Sequence, residues 1–199
     1  AQSQAADQAH ARFADPRSDF LAWLALWRYW TAQQDGRAAR GESHRALAAR
    51  LGREFLSVRR LREWADVHGQ LAEITRELRW STGQAATPMT PTTRGSGRPA
   101  PPPGDAIHRA LLTGLLGNIG LRALEGGHYE GAHQQKFWIH PGSAVGRRAA
   151  RMKAGPDGTG QAAEPQGRAS RWVMAAEMVD TGRLYARTVA LVRSEWIEA

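Results

Sequence analysis

The sequence predicts an α+β protein, an all-α helical bundle followed by a mainly β domain, and two observations carry that class. Apolar residues recur every three or four positions between Phe20 and Leu78. Beyond about residue 120 the apolar segments shorten and turn aromatic and β-branched, as strands do. With 199 residues, 42% of them hydrophobic and 23% charged, the chain has enough apolar surface for one ordinary domain or two small ones.

Taken in order, the first 17 residues are polar and read as loose. Ser18 then stands before Asp19 and the run Phe20, Leu21, Trp23, Leu24, Leu26, Trp27 and Trp30. Ser18 suits an N-cap, Asp19 complements the helix dipole, and a turn at Asp35-Gly36 is expected to end the helix. A short helix is expected over Ser43–Leu51. The next stripe (Phe55, Val58, Leu61, Trp64, Val67, Leu71, Ile74 and Leu78) predicts one long amphipathic helix of about six turns. On these faces Trp23, Trp27, Trp30 and Trp64 are expected to pack into a core.

Residues 81–104 are Pro-, Thr-, Gly- and Ser-rich, which predicts a disordered loop. Asp105 is then expected to cap a helix containing Ile107, Leu111, Leu112, Leu115 and Leu116, stopped by Asn118 and Gly120. Strands are expected within His128–Ile139, closed by a turn at His140-Pro141-Gly142-Ser143. Gly146–Ser170 reads as a second low-complexity stretch, basic at its start. Trp172–Ala176 and Leu184–Val192 read as further strands.

Lys plus Arg number 27 against 19 Asp plus Glu, a formal charge of +8 that favours an anionic partner, with nucleic acid first. Only Lys136 and Lys153 are lysines, and the excess is spread along the chain rather than gathered in one patch. The absence of cysteine excludes disulfides, Cys-ligated zinc and thiol catalysis. No apolar run reaches the roughly 18 residues a membrane span needs. No signal peptide is visible, so a cytoplasmic location is expected. The chain starts at Ala1 rather than Met and stops after Trp196-Ile197-Glu198-Ala199, which reads as a fragment.

Neither lysine lies in a glycine-rich phosphate-binding loop, and no Asp-Glu-Ala-His run exists to hold Mg²⁺. The chain is therefore expected not to hydrolyse ATP by itself, and no catalytic residue is assigned. His128, His133 and His140 match no established metal-ligand spacing, so no metal is expected. Ser143 follows Pro-Gly with no histidine marked as its base, which argues against a nucleophile.

The order Phe137-Trp138-Ile139-His140-Pro141-Gly142-Ser143, Trp172-Val173-Met174-Ala175-Ala176-Glu177-Met178-Val179, Thr181, Arg183-Leu184-Tyr185-Ala186-Arg187 and Glu195-Trp196-Ile197 resembles the OB-fold of DEAH-box ATP-dependent RNA helicases, in its bacterial HrpA-type version. Upstream pieces agree in order: Arg12–Leu21, Phe55–Trp64 and Ile107–Leu112. The resemblance implies a helical, ratchet-like bundle over about 10–120 and an OB-fold over about 121–199, with an insertion at about 146–171. It further implies an accessory region of the helicase, binding single-stranded RNA (with DNA as the alternative) as the strand is threaded past the RecA-like motor domains of the parent chain. ATP and Mg would serve the parent and not this fragment.

Within that reading, the nucleic-acid candidates are Arg59, Arg60, Arg62, Lys136, Trp138, His140, Ser143, Arg147 and Arg148. Arginines contact phosphates without reading sequence. Trp138, beside Lys136 and His140, could stack on a base, although core packing is the simpler reading. The His140–Ser143 turn would expose N–H groups and a hydroxyl, with a mere turn as the equal alternative. For Arg59, Arg60 and Arg62, a solvated helix face is the simpler reading. Glu177 with Arg183 or Arg187 suits an internal ion pair. Two other functions compete: a stand-alone nucleic-acid-binding OB module, and a protein-interaction module marked by an exposed apolar patch.

Overall fold

The computed structural model describes residues 2–80, 104–154 and 171–197. These fall into two compact units, one of residues 2–10 and 30–80, the other of residues 11–29, 104–154 and 171–197. The units divide within a helix near residue 30, whereas the sequence suggested a change near 120.

In the helical unit, α1 (Gln2–His10) replaces the loose start that the polar composition suggested. His10 Nε2 bonds the Glu54 carbonyl at 3.1 Å, a long-range tie invisible to local composition. α2 (Asp19–Ala39) begins in the barrel unit and runs through the expected Asp35-Gly36 turn. Gly36 costs a helix only about 1 kcal/mol, and its carbonyl still accepts from Arg40 N at 3.1 Å. The true stop is Gly41, at φ +60. There Glu42 N bonds Arg37 O and Gly41 N bonds Ala38 O, a Schellman closure that a left-handed glycine permits.

α3 (His44–Arg53) is capped by Ser43, whose hydroxyl accepts from Ala46 N at 3.1 Å. α4 (Val58–Glu77) is capped in the same way by Ser57, so Phe55 precedes the helix. Leu47, Leu51, Leu56, Val58, Leu61 and Trp30 are buried. The rest of the α4 stripe departs from the expected core: Val67, Leu71, Ile74 and Leu78 are exposed. Trp27 and Trp64 are half-buried, and Trp23 is exposed.

The barrel unit opens with a single 3-10 turn, Ala11–Phe13, and the N-terminal half of α2. α5 (Gly104–Leu112) follows, with Asp105 in its first turn rather than at the cap. Gly120, expected to stop that helix, lies instead in β1 (Ile119–Arg122). β2 (Tyr129–Gly131) and β3 (Lys136–Ile139) follow as expected, and so does the turn after them. The presumed low-complexity stretch begins as a helix, α6 (Ala144–Ala154), because Ser143 caps it and its alanines and arginines favour helix. The remainder of that stretch, and the Pro-rich segment up to residue 103, lie outside the described residues.

β4 (Trp172–Asp180) and β5 (Leu184–Val192) complete a closed barrel in the order β1-β2-β3-β5-β4. All pairs are antiparallel except β3 with β5, which is parallel, and α6 lies between β3 and β4 in the chain. A helical region followed by a five-stranded OB barrel is the expected α+β class. Its interior holds Tyr129, Phe137, Val145, Val173, Ala175, Ala186 and Val189. A second cluster of Leu112, Met174, Ala190 and Val192 packs with Phe20, Leu111, Leu115 and Ile119.

Candidate nucleic-acid interface

Strand alternation decides which side chains leave the barrel. In β3, Phe137 points inward with no exposure, so Lys136, Trp138 and the following His140 fall on the outer face. In β5, Ala186 is buried, which sets Tyr185 and Arg187 outward. Trp138 pairs with Tyr185 in the parallel register, so the two aromatic residues are neighbours on that face.

Two loops frame them. Between β1 and β2 the chain turns through Gly126 and Gly127, at φ +77 and +69, and presents His128. Between β4 and β5, Gly182 at φ +85 makes the turn, with its N–H held by Asp180 Oδ1 at 2.9 Å, and presents Arg183. The Arg183 guanidinium carbon lies 4.2 Å from the Trp138 ring centroid, and the His128 ring is 5.8 Å away. Trp138 is half-buried, so it is neither core nor a free-standing platform. No hydrogen bond reaches the buried His128 Nε2, and Glu130 Oε1 stands 3.6 Å from it.

Next to this cluster, a cleft of about 190 Å³ is lined by His140, Pro141, Val179, Thr181, Tyr185 and Arg187. The His140 ring meets Tyr185 edge-on at 5.9 Å, and its Nδ1 accepts from Gly142 N at 3.1 Å. Glu177 stands opposite Arg187 in register, yet no ion pair joins them, and Arg183 lies on Trp138 instead. The expected internal pair is therefore not formed.

Ser143 differs from the exposed hydroxyl that the turn suggested. It is buried, and its Oγ accepts from Val145 N at 3.2 Å and Gly146 N at 3.4 Å, capping α6. Arg147 is exposed and donates to the Gly142 carbonyl at 2.7 Å, bracing the same turn, while Arg148 is half-buried one residue on. The other candidates lie in the helical unit. Arg59 pairs with Glu63 at 3.0 Å, Arg62 Nη2 meets His44 Nδ1 at 3.0 Å, and Arg60 is exposed. Arg59 and Arg62, with His44, Arg45 and Asp66, line a shallow groove of about 470 Å³ that carries both signs of charge.

The structure thus gathers Lys136, Trp138 and His140 with five residues that sequence reasoning passed over as contacts: His128, Thr181, Arg183, Tyr185 and Arg187. The alternation Leu184-Tyr185-Ala186-Arg187 at the start of β5 was the signal that would have found Tyr185 and Arg187. Among the described residues, no three His, Asp or Glu side chains are placed to hold a metal ion, and no helix is long and apolar enough to cross a membrane.

Comparison with known proteins agrees with this architecture. Residues 107–199 match the oligonucleotide/oligosaccharide-binding (OB)-fold family. The chain is 34% identical over 195 residues to the ATP-dependent RNA helicase HrpA of Escherichia coli K12. It is 34% identical, again over 195 residues, to the HrpA homolog of Haemophilus influenzae. Each alignment covers 98% of this chain and 12% of the relative, so the chain spans a small part of the length of the curated relatives it matches.

Proposed function

From homology to HrpA-type ATP-dependent RNA helicases along nearly the whole chain, and from the OB-fold that ends it, we propose an accessory helicase region that binds single-stranded RNA while a motor elsewhere in the parent moves the strand. ATP, Mg²⁺ and RecA-like domains belong to that parent. One observation carries the reading: Trp138, on the outer face of β3, sits with His128 and Arg183 of the β1–β2 and β4–β5 loops, the loops with which OB-folds take oligonucleotides. An aromatic ring stacks on any base, and flanking cations follow the phosphate chain, which gives sequence-tolerant binding.

The test is fluorescence anisotropy of the 199-residue chain with a labelled oligouridylate of about twelve nucleotides, within the usual OB-fold site size. Affinity is expected to fall steeply between about 50 and about 200 mM salt, because added salt reduces the entropic gain of releasing counterions from the strand. Trp138→Ala is expected to cost about 1–3 kcal/mol of binding, the range for one lost base stack. Absence of binding at low salt would sink the reading.

A protein-interaction role is the second reading, and one observation favours it. Val67, Leu71, Ile74 and Leu78 leave an apolar stripe of α4 exposed. Weak, salt-insensitive RNA binding in the same assay would favour that role.

A further inference from the structure

We propose that Arg183 is a cover on the Trp138 ring, a built-in competitor that a nucleobase displaces before it can stack there. This rests on the single-strand reading above and deepens it: the aromatic seat is closed in the free protein, and its opening is a step of binding.

The distance carries the argument. The Arg183 guanidinium carbon stands 4.2 Å from the Trp138 ring centroid, the range in which a planar cation rests on an indole face. A base stacked on that face needs the same space. The ring is half-buried, the His128 ring lies 5.8 Å from it at a tilt of 46°, and Tyr185 is its neighbour in the parallel register. With those neighbours in place and a cation on its face, the ring has little room for a second planar group.

The turn that carries Arg183 is built, whereas its side chain is free to swing. Gly182 sits at φ +85, its N–H donates to Asp180 Oδ1 at 2.9 Å, and Thr181 N–H donates to the Arg183 carbonyl at 3.2 Å. These bonds fix the backbone from which the arginine reaches over β3. The side chain is exposed, and among the described residues no carboxylate holds its guanidinium. A fixed base with a loosely held arm is what a displaceable cover needs. An exposed cation–π contact is weaker than a base stack, so a base wins the exchange but binds less tightly than on a bare ring. The expected penalty is about two- to fivefold, the equilibrium equivalent of one exposed contact.

The experiment is a double-mutant cycle in the 199-residue chain: the natural sequence, Arg183→Gln, Trp138→Ala and the double variant. Each is titrated with the labelled oligouridylate at about 150 mM salt, where long-range attraction by the lost charge is screened. That loss is common to both backgrounds, so the coupling isolates the contact between the two side chains. The effect of Arg183→Gln is expected to be about two- to fivefold more favourable with Trp138 present than with Ala in its place. A second readout needs no RNA. Acrylamide quenching of Trp138 fluorescence, taken by difference against Trp138→Phe in each background, is expected to rise in Arg183→Gln. Circular dichroism checks that the variants fold.

Coupling of the opposite sign means that Arg183 and Trp138 clasp a base between them. That result, zero coupling, or unchanged quenching overturns the cover and leaves the RNA reading intact. Absence of RNA binding by all four proteins overturns the single-strand reading and the cover with it.

Discussion

Asp19 accepts backbone hydrogen bonds from two distant places, Ala144 N at 3.0 Å and Val189 N at 2.9 Å. It completes the N-terminus of α6 that Ser143 caps and ties α2 to β5 across 170 residues of chain. Ser18, its fully buried neighbour, accepts from Leu21 N at 3.2 Å and bonds His108 Nε2 at 2.7 Å. Asp19→Ala leaves two N–H groups without their acceptor, and the expected loss is about 2–4 kcal/mol in urea denaturation, with Asp19→Asn milder. Burial, the largest cause, pushes the His108 imidazole down from its ordinary 6.5, although the Asp105 charge pulls it up. Its folded pKa therefore lies below its unfolded one, and the unfolded chain takes up the proton first. The stability that neutral His108 provides is present above about pH 6.5 and is lost as pH falls through the folded value. Denaturation curves are expected to show a larger fall in stability on acidification for the natural chain than for His108→Gln.

At the scale of elements, β5 carries an irregularity with a function in the packing. Thr188 has φ +51, a left-handed conformation that a β-branched residue rarely adopts. The β4–β5 register is continuous on either side, from Ala175 with Val189 to Glu177 with Arg187, and only the pair between them is missing. The partners are supplied from elsewhere: Asn118 Nδ2 donates to the Ala176 carbonyl at 3.4 Å, and Val189 N–H goes to Asp19. The left-handed penalty for a side-chain-bearing residue is about 1–2 kcal/mol, larger than the ordinary cost of glycine in a strand. Thr188→Gly is therefore expected to raise the melting temperature, opposite in sign to a regular strand position such as Val173→Gly, and calorimetry on both variants checks the contrast. Helix ends obey the same local logic, and Ser18, which the sequence marks as a cap, accepts from Leu21 N. Ser43 and Ser57, which the sequence reading placed inside their helices, are the caps of α3 and α4. The end of α2 was misplaced because Gly36 and Gly41 look alike in sequence, and only Gly41 has the closing pair of hydrogen bonds.

At the scale of the barrel, closure depends on a position with no side chain. β1 joins β2 on one side to β4 on the other. The Phe137 ring lies against Gly120, and a Cβ there would overlap the ring. Gly120→Ala is expected to destabilise the barrel by about 1–3 kcal/mol, the usual cost of overpacking. Near-UV circular dichroism across a thermal melt would show the loss first in the aromatic signal. This glycine looked like a helix stop in sequence because nothing local distinguishes a stop from a residue beneath a ring 17 positions on.

By itself the sequence determined the α+β class, the main helices and strands, and the resemblance to HrpA-type helicases. Each of these depends on residue type and short spacing, which survive without coordinates. Only the tertiary structure decided that β3 runs parallel to β5, that Arg183 covers Trp138, that Arg187 joins His140 and Tyr185, and that Ser143 is spent on a cap. Those are contacts between segments tens of residues apart, made when the barrel closes, and no periodicity along the chain encodes which segments will meet.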